Sequence, residues 1–408
     1  MDVLQQIRDR QFVDKSGAEE LLLSFFRSEL GLPAIATHLT PKPTSLNSFN
    51  GFVTLQNGER KFFKTHTETD TVITEYYNSG MLAQAGYPII QPTFQSTATG
   101  KQILLYDVIE SPSVFDVAWA IENGDNTHLM ALTEAQNQAD RDLYTVYAQT
   151  LVTQSADDAA KAPIHQLFYH RLVAGRLKQF YSGEIMLPNA RFAIQDVQQW
   201  RWQINGQVYN ETLESIIQRA IILLNPQQTD MSVIGHGDAH NGNVFLRDTM
   251  PATLLYFDPA FAGKHHPLLD LVKPLFHNVF AMWMYYPQEK REKTPISWSR
   301  TGDRLMVNYD YPLHPVRQLF WQSKIQHTLI PILQLLHTHT QLRPDWREWF
   351  KLALFCCPFL TMNLTDTTKF SPEISLLGLA MSVEMGAESQ TTKSLIDQTL
   401  DEIEVLLA

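Results

Sequence analysis

Apolar positions along the chain fall into three regimes. In residues 1–32 they recur at helical spacing, as in "SGAEELLLSFFRSELG", with Ser16 as the expected cap and Gly31 as the stop. From Ser48 to Thr65 the run "SFNGFVTLQNGERKFFKT" reads as two strands joined by Asn57-Gly58, a pair that tolerates the positive φ a tight hairpin needs. "TDTVITEYYNSGMLAQAG" returns to helical spacing, with Thr69 or Asp70 as cap and Gly86 as stop. "YPIIQPTFQSTATGKQILLYDVIES" then offers two more strands around Thr99-Gly100.

Beyond Ser111 helical periodicity dominates, in 113–122, 133–154, 163–181, 211–224, 315–342, 346–363, 372–386 and 392–407. One β-like island interrupts it: "VIGHGDAHNGNVFL" followed by "ATLLYFDPAFAG", a strand, turn and strand with a polar loop at each end. "YPQEKREKTPISWSRTGDRL", from Tyr286, reads as a charged surface loop. The pattern predicts an α+β protein, with a small antiparallel β-sheet lobe carrying one helix and a large mainly helical lobe. The expected division is 1–32 as an N-terminal helical extension, 33–111 as the small lobe and 112–408 as the large one.

Composition narrows the function classes. With 44% hydrophobic and 18% charged residues the chain is that of an ordered protein. A formal charge of -11 repels phosphate backbones and anionic headgroups, so neither nucleic acid nor a membrane is an expected partner. The cysteines, Cys356 and Cys357, are adjacent in an apolar run, which excludes a disulfide framework and suits a reducing cytoplasm. "MDVLQQIRDRQF" has no basic stretch followed by an apolar one and "LALFCCPFL" is too short to span a bilayer, so no export and no membrane span are expected.

The polar island carries the chemistry. His236-x-Asp238 is followed at Asn243 by an amide and, across a short hairpin, by Asp258. Phosphoryl transfer needs a group to orient and deprotonate the attacking hydroxyl, and oxygen ligands to hold magnesium on the polyphosphate. One Asp, one Asn and a second Asp supply both. Asp, Asn and Gly are also the commonest turn formers, so residue type alone leaves a structural role open.

"HGDAHNGNV" with "LLYFDPAFAG" resembles the catalytic and metal-binding loops of the aminoglycoside phosphotransferase and choline kinase family, relatives of protein kinases. The resemblance runs in order from about Ser45 to Lys273 and implies a two-lobed protein-kinase-like fold that binds ATP and Mg2+ and phosphorylates a hydroxyl of a small molecule. It implies Asp238 as the base and Asn243 and Asp258 as metal ligands. Lys64 in "RKFFKTHTE" would sit on the nucleotide phosphates and Glu75 would pair with it, since a desolvated lysine needs a carboxylate to stay charged. "QILLYDVIES" would form the inter-lobe hinge, with the backbone of Asp107 and Ile109 at the adenine and Tyr106 behind it. Asp270 in "HHPLLDLVK" would brace the catalytic loop.

Two departures accompany the resemblance. "SLNSFNGFV" lacks a glycine-rich triplet, leaving phosphate contacts to Ser48, Asn50 and Gly51, and the metal loop reads Asp-Pro-Ala, which argues against a protein kinase proper. Two other classes compete: a metal-dependent hydrolase built on His236, Asp238, His240, Asp258, His265 and His266, and a nucleotide-binding pseudokinase that serves as an interaction module. The aromatic cluster "MWMYYP" around Trp283, and Trp346 with Trp349, read first as core, with a cation-binding cage as the rival.

Overall fold

In the computed structural model, which describes residues 3–40, 48–66 and 78–408, the hairpin around Asn57-Gly58 lies inside a five-stranded sheet. Its strands are β1 (Ala34–Leu39), β2 (Ser48–Leu55), β3 (Arg60–His66), β4 (Phe94–Ser96) and β5 (Ile103–Asp107), in the order β1-β2-β3-β5-β4. All pairs are antiparallel. The edge strand β1 is absent from the sequence reading. Its residues alternate poorly, with both ends buried and most of the middle exposed, because an edge strand needs no continuous apolar face.

Two helices, α1 (Val3–Arg10) and α2 (Lys15–Ser28), cover one face of this sheet. Leu22, Phe25 and Phe26 of α2 bury against Phe49, Phe63, Ile103 and Leu105, and the rings of Phe26 and Phe63 meet edge to face at 5.5 Å. These helices therefore share the sheet's core. The cap of α2 is Asp14, whose carboxylate accepts from Gly17 N, not Ser16. The described part of the next helix, 78–85, ends at Gly86.

The chain divides into two compact units: Met1–Pro112 with Leu255–Ala260, and Ser113–Leu254 with Phe261–Ala408. The second is mainly helical, with the helices Trp346–Leu360 and Pro372–Gly386 buried almost throughout. Trp283, Trp346 and Trp349 are buried, in keeping with their reading as core. The α+β class, with a small antiparallel sheet region and a larger helical one, is the one expected from the sequence.

The segment read as a charged loop from Tyr286 is instead a short helix, Pro287–Lys293, and a hairpin, Ile296–Thr301 with Arg304–Tyr309. Leu305 and Val307 bury fully, and the second strand pairs in parallel with Arg201–Ile204. The density of charge masks a short alternating run whose partner strand lies about a hundred residues earlier in the chain. No described helix is long and apolar enough to cross a membrane.

Gly51 occupies the middle of β2, where a Cβ would lie 2.1 Å from the His38 carbonyl oxygen of β1. Backbone cannot yield as a flexible side chain can. Gly51→Ala should therefore destabilise the protein by about 1–3 kcal/mol, read as a lowered urea midpoint. A variant unfolding at the wild-type midpoint would show that β1 is not seated as described.

Candidate active site

In the second unit the strand Asp230–Gly235 delivers His236, Gly237 and Asp238 into a loop that closes with a single 3-10 turn, Asn241–Asn243, before the strand Val244–Arg247. Gly237 has φ +81, and a Cβ on it would lie 2.3 Å from the Phe261 carbonyl oxygen, so only glycine fits. Asp270, on the helix Pro267–Val279, accepts from Gly237 N and from the Tyr147 hydroxyl, and His265 Nε2 lies 3.1 Å from its Oδ1. Burial opposes the Asp270 charge, but His265, Tyr147 and the Gly237 amide together outweigh it and hold the carboxyl well below the ordinary aspartate range. The residue spacing of the loop is thus clamped from beneath by one carboxylate.

Within the loop, His240 Nδ1 accepts from Gly242 N at 3.1 Å, and Asn241 N donates to Asn278 Oδ1 at 2.8 Å. Asn243 Nδ2 donates to the Asp238 carbonyl at 2.9 Å. That bond commits the amide nitrogen and leaves the carbonyl oxygen, the atom a hard cation takes.

The Asp238 side chain is 16% exposed. Its Oδ1 has no hydrogen-bond partner among the described residues and faces Lys273 Nζ at 3.6 Å, while His240 Nε2 lies 3.8 Å from Oδ2. Burial works against its ionisation, yet the charge of Lys273, followed by His240, His236 and Arg171, lowers its pKa. Asp238 is therefore a fixed carboxylate, suited to orienting a hydroxyl and taking its proton late.

Lys273, 4% exposed, also meets His277 Nε2 at 3.0 Å, and His277 Nδ1 lies 2.7 Å from the Tyr285 hydroxyl. Burial and then the Lys273 charge push His277 well below the usual histidine value, so the ring is neutral. An ammonium only donates, so Nε2 accepts, the ring proton sits on Nδ1, and Tyr285 accepts from it. Lys273, His277, Tyr285 and Tyr147 escaped the sequence reading. Lys273 and His277 are four residues apart on one helix, a hint that gains meaning only once Asp238 faces them.

In the first unit, Lys64 on β3 forms an ion pair with Asp258 Oδ1 at 3.0 Å. The segment before Asp258 is tied to this unit by Tyr256 N donating to the Pro88 carbonyl at 2.8 Å and Ile90 N donating to the Tyr256 carbonyl at 3.0 Å. Asn78 Nδ2 donates to the Pro259 carbonyl at 3.0 Å on the other side. Asp258 itself adopts φ +57, uncommon for a residue with a Cβ, and its side chain is 43% exposed. A strained, exposed carboxylate held against a lysine is an arrangement that a metal and a polyphosphate could exploit.

Glu75 lies outside the described residues. Ser48, Asn50 and Gly51 belong to β2 and not to a loop, and Asn50 pairs with Lys64 in the β2–β3 register. Tyr106 and Asp107 end β5, where Asp107 accepts from Lys61 at 2.7 Å, and Ile109 follows in irregular chain. His265 turns to Asp270, and His266 Nδ1 caps its own helix by accepting from Leu268 N. Among the described residues no group of three or more His, Cys, Asp or Glu is placed to hold a metal.

No family model and no curated protein matches the chain. Solved structures that it resembles include small-molecule phosphotransferases. An amicoumacin kinase in complex with AMP-PNP, Ca2+ and Ami is 14% identical, over 95% of this chain and 96% of that one, with a TM-score of 0.47. A thermostable mutant of aminoglycoside phosphotransferase APH(4)-Ia, in ternary complex with ADP and hygromycin B, is 8% identical over 90% and 97%, with a TM-score of 0.46. A macrolide 2'-phosphotransferase of type I is 13% identical over 90% and 97%, with a TM-score of 0.42. At these identities and scores no residue role follows from the likeness.

Asp270→Asn keeps the shape of the clamp but loses its charge, and should destabilise the protein by about 2–4 kcal/mol at neutral pH. Because the folded-state pKa is depressed, the deficit should be full above the unfolded aspartate value of about 3.9 and shrink as pH falls below it. Urea unfolding of both proteins across that range checks the sign, and a deficit that grows on acidification would contradict it.

Proposed function

We propose that this protein is an ATP-dependent phosphotransferase of protein-kinase-like fold that moves the γ-phosphoryl group to a hydroxyl of a small molecule. The observation that carries the reading is the Asp238 carboxylate, kept ionised beside buried Lys273 on a loop clamped by Asp270. Asp238 orients the acceptor hydroxyl and takes its proton as the new O–P bond forms and the bond to the ADP leaving group breaks. Asn243 and Asp258 would hold magnesium, which neutralises charge on the transferring phosphate. Lys64, paired with Asp258 here, would contact the phosphates once nucleotide enters, with Glu75 as its proposed partner. The backbone of Asp107, at the end of β5, and of Ile109, just beyond it, would face the adenine with Tyr106 behind, and Ser48, Asn50 and Gly51 would line the phosphates from β2. The matching phosphotransferase loops, the acidic charge and the paired buried thiols support a cytoplasmic small-molecule kinase.

Asp238→Asn should reduce acceptor-dependent ADP release by about 10²-fold or more while leaving ATP binding intact. ATP with Mg2+ at 100 times its dissociation constant should stabilise the protein by about 2.7 kcal/mol, a shift that Asp258→Ala should remove. Wild-type turnover by Asp238→Asn overturns the assignment of the base. Nucleotide binding without acceptor-dependent ADP release across a broad panel of alcohols would instead favour the pseudokinase reading.

A further inference from the structure

The polar line that starts with the ion pair of Asp238 and Lys273 and continues by hydrogen bonds through His277 ends at Tyr285, and Tyr285 opens a row of aromatic rings within the second unit. Phe115 meets Tyr285 edge to face at 5.0 Å and stacks on Tyr286 at 5.9 Å, and Tyr286 stacks on Trp119 at 3.9 Å with the planes 5° apart. All four are only partly buried, unlike Trp283 beside them, which is fully covered. The row begins near the base: His240 lies 3.8 Å from Asp238, and its ring is 5.6 Å from that of His277.

The helix that carries Phe115 and Trp119, Val114–Glu122, is fixed at both ends. Ser113 caps its start and bridges Phe245, two residues past Asn243. At the other end, partly buried Glu122 is ion-paired with both Lys290 and Arg317. Two half-exposed turns of helix are thus held beside the loop by ties at each end.

We propose that Phe115, Trp119, Tyr285 and Tyr286 form the acceptor subsite, and that the acceptor is an uncharged alcohol with a flat ring face, a sugar or planar-ring compound. The proposal rests on Asp238 being the base. Partly exposed, stacked rings offer a flat apolar face, and the Tyr285 hydroxyl, which accepts from His277, keeps its own proton to donate to a substrate oxygen.

The bordering charges argue against a cationic acceptor. Lys290 already lies 5.5 Å over the Trp119 ring and 5.7 Å over Tyr311, so a substrate ammonium brought to the row would meet a resident like charge. Glu122 is shared between two cations, and the Asp116 carboxylate accepts from the Ser113 hydroxyl at 2.6 Å in the helix cap.

The test measures ADP release with Mg-ATP and three acceptors: phenyl β-glucoside, choline and kanamycin. The glucoside should be turned over in preference to both cations. Trp119→Ala should raise its KM by about tenfold, because Tyr286 loses the ring it stacks on and with it the flat face of the row, with kcat and the KM for ATP little changed. Trp119→Leu provides a second variant that keeps bulk while losing the flat face, and should act in the same direction.

Preference for choline or kanamycin, or a Trp119→Ala effect confined to kcat, overturns the subsite. Slow ADP release to water that is lost in Asp238→Asn, with no response to the glucoside, overturns the subsite and leaves the phosphotransferase reading standing. Absence of ADP release with all three acceptors overturns the subsite, and absence across the broad panel of alcohols overturns the phosphotransferase reading with it.

Discussion

The Asp270 carboxylate is the constraint on which the loop depends. It is 2% exposed and satisfied by one backbone amide, one phenol and one imidazole drawn from three separate segments of the second unit. A buried carboxylate is tolerable only when its lone pairs are met, and here meeting them forces Gly237 into a left-handed turn. Everything displayed beyond that turn, Asp238, His240 and Asn243, inherits its geometry.

Lys273 adds a second layer of the same logic. Its ammonium is removed from water, and the neighbours that make this affordable are a carboxylate on one side and a neutral ring on the other. The lysine cannot relax outward without stranding Asp238 Oδ1, an atom with no hydrogen bond of its own among the described residues. Positional order at the carboxylate comes from burial of its partner, a form of preorganisation that does not require a short bond.

What was legible in the sequence was local. The spacing His236-x-Asp238-x-x-x-x-Asn243 is visible because one loop holds all three residues, and the turn at Asn57-Gly58 because two adjacent residues define it. Groups assembled from distant elements were not: Tyr147 and Asp270 are 123 positions apart, and Lys273 carries no signal of its own until Asp238 is placed opposite. The cap at Asp14 in place of Ser16 is a competition between two residues, two positions apart, of near-equal capping propensity. Strand β1 and the hairpin after Pro295 were hidden because each owes its structure to a partner strand and not to its own periodicity.

The six residues Leu255–Ala260 lie in sequence amid the second unit and in space with the first. The polypeptide consequently passes between the units three times, after Pro112, after Leu254 and after Ala260. A fragment ending at Pro112 would carry the sheet and its helices but lack Tyr256, whose backbone bonds to Pro88 and Ile90, and Asp258, the counter-charge of Lys64. The first unit is therefore not an autonomous cassette: gene fusion, truncation or recombination at Pro112 would sever it from a part of itself.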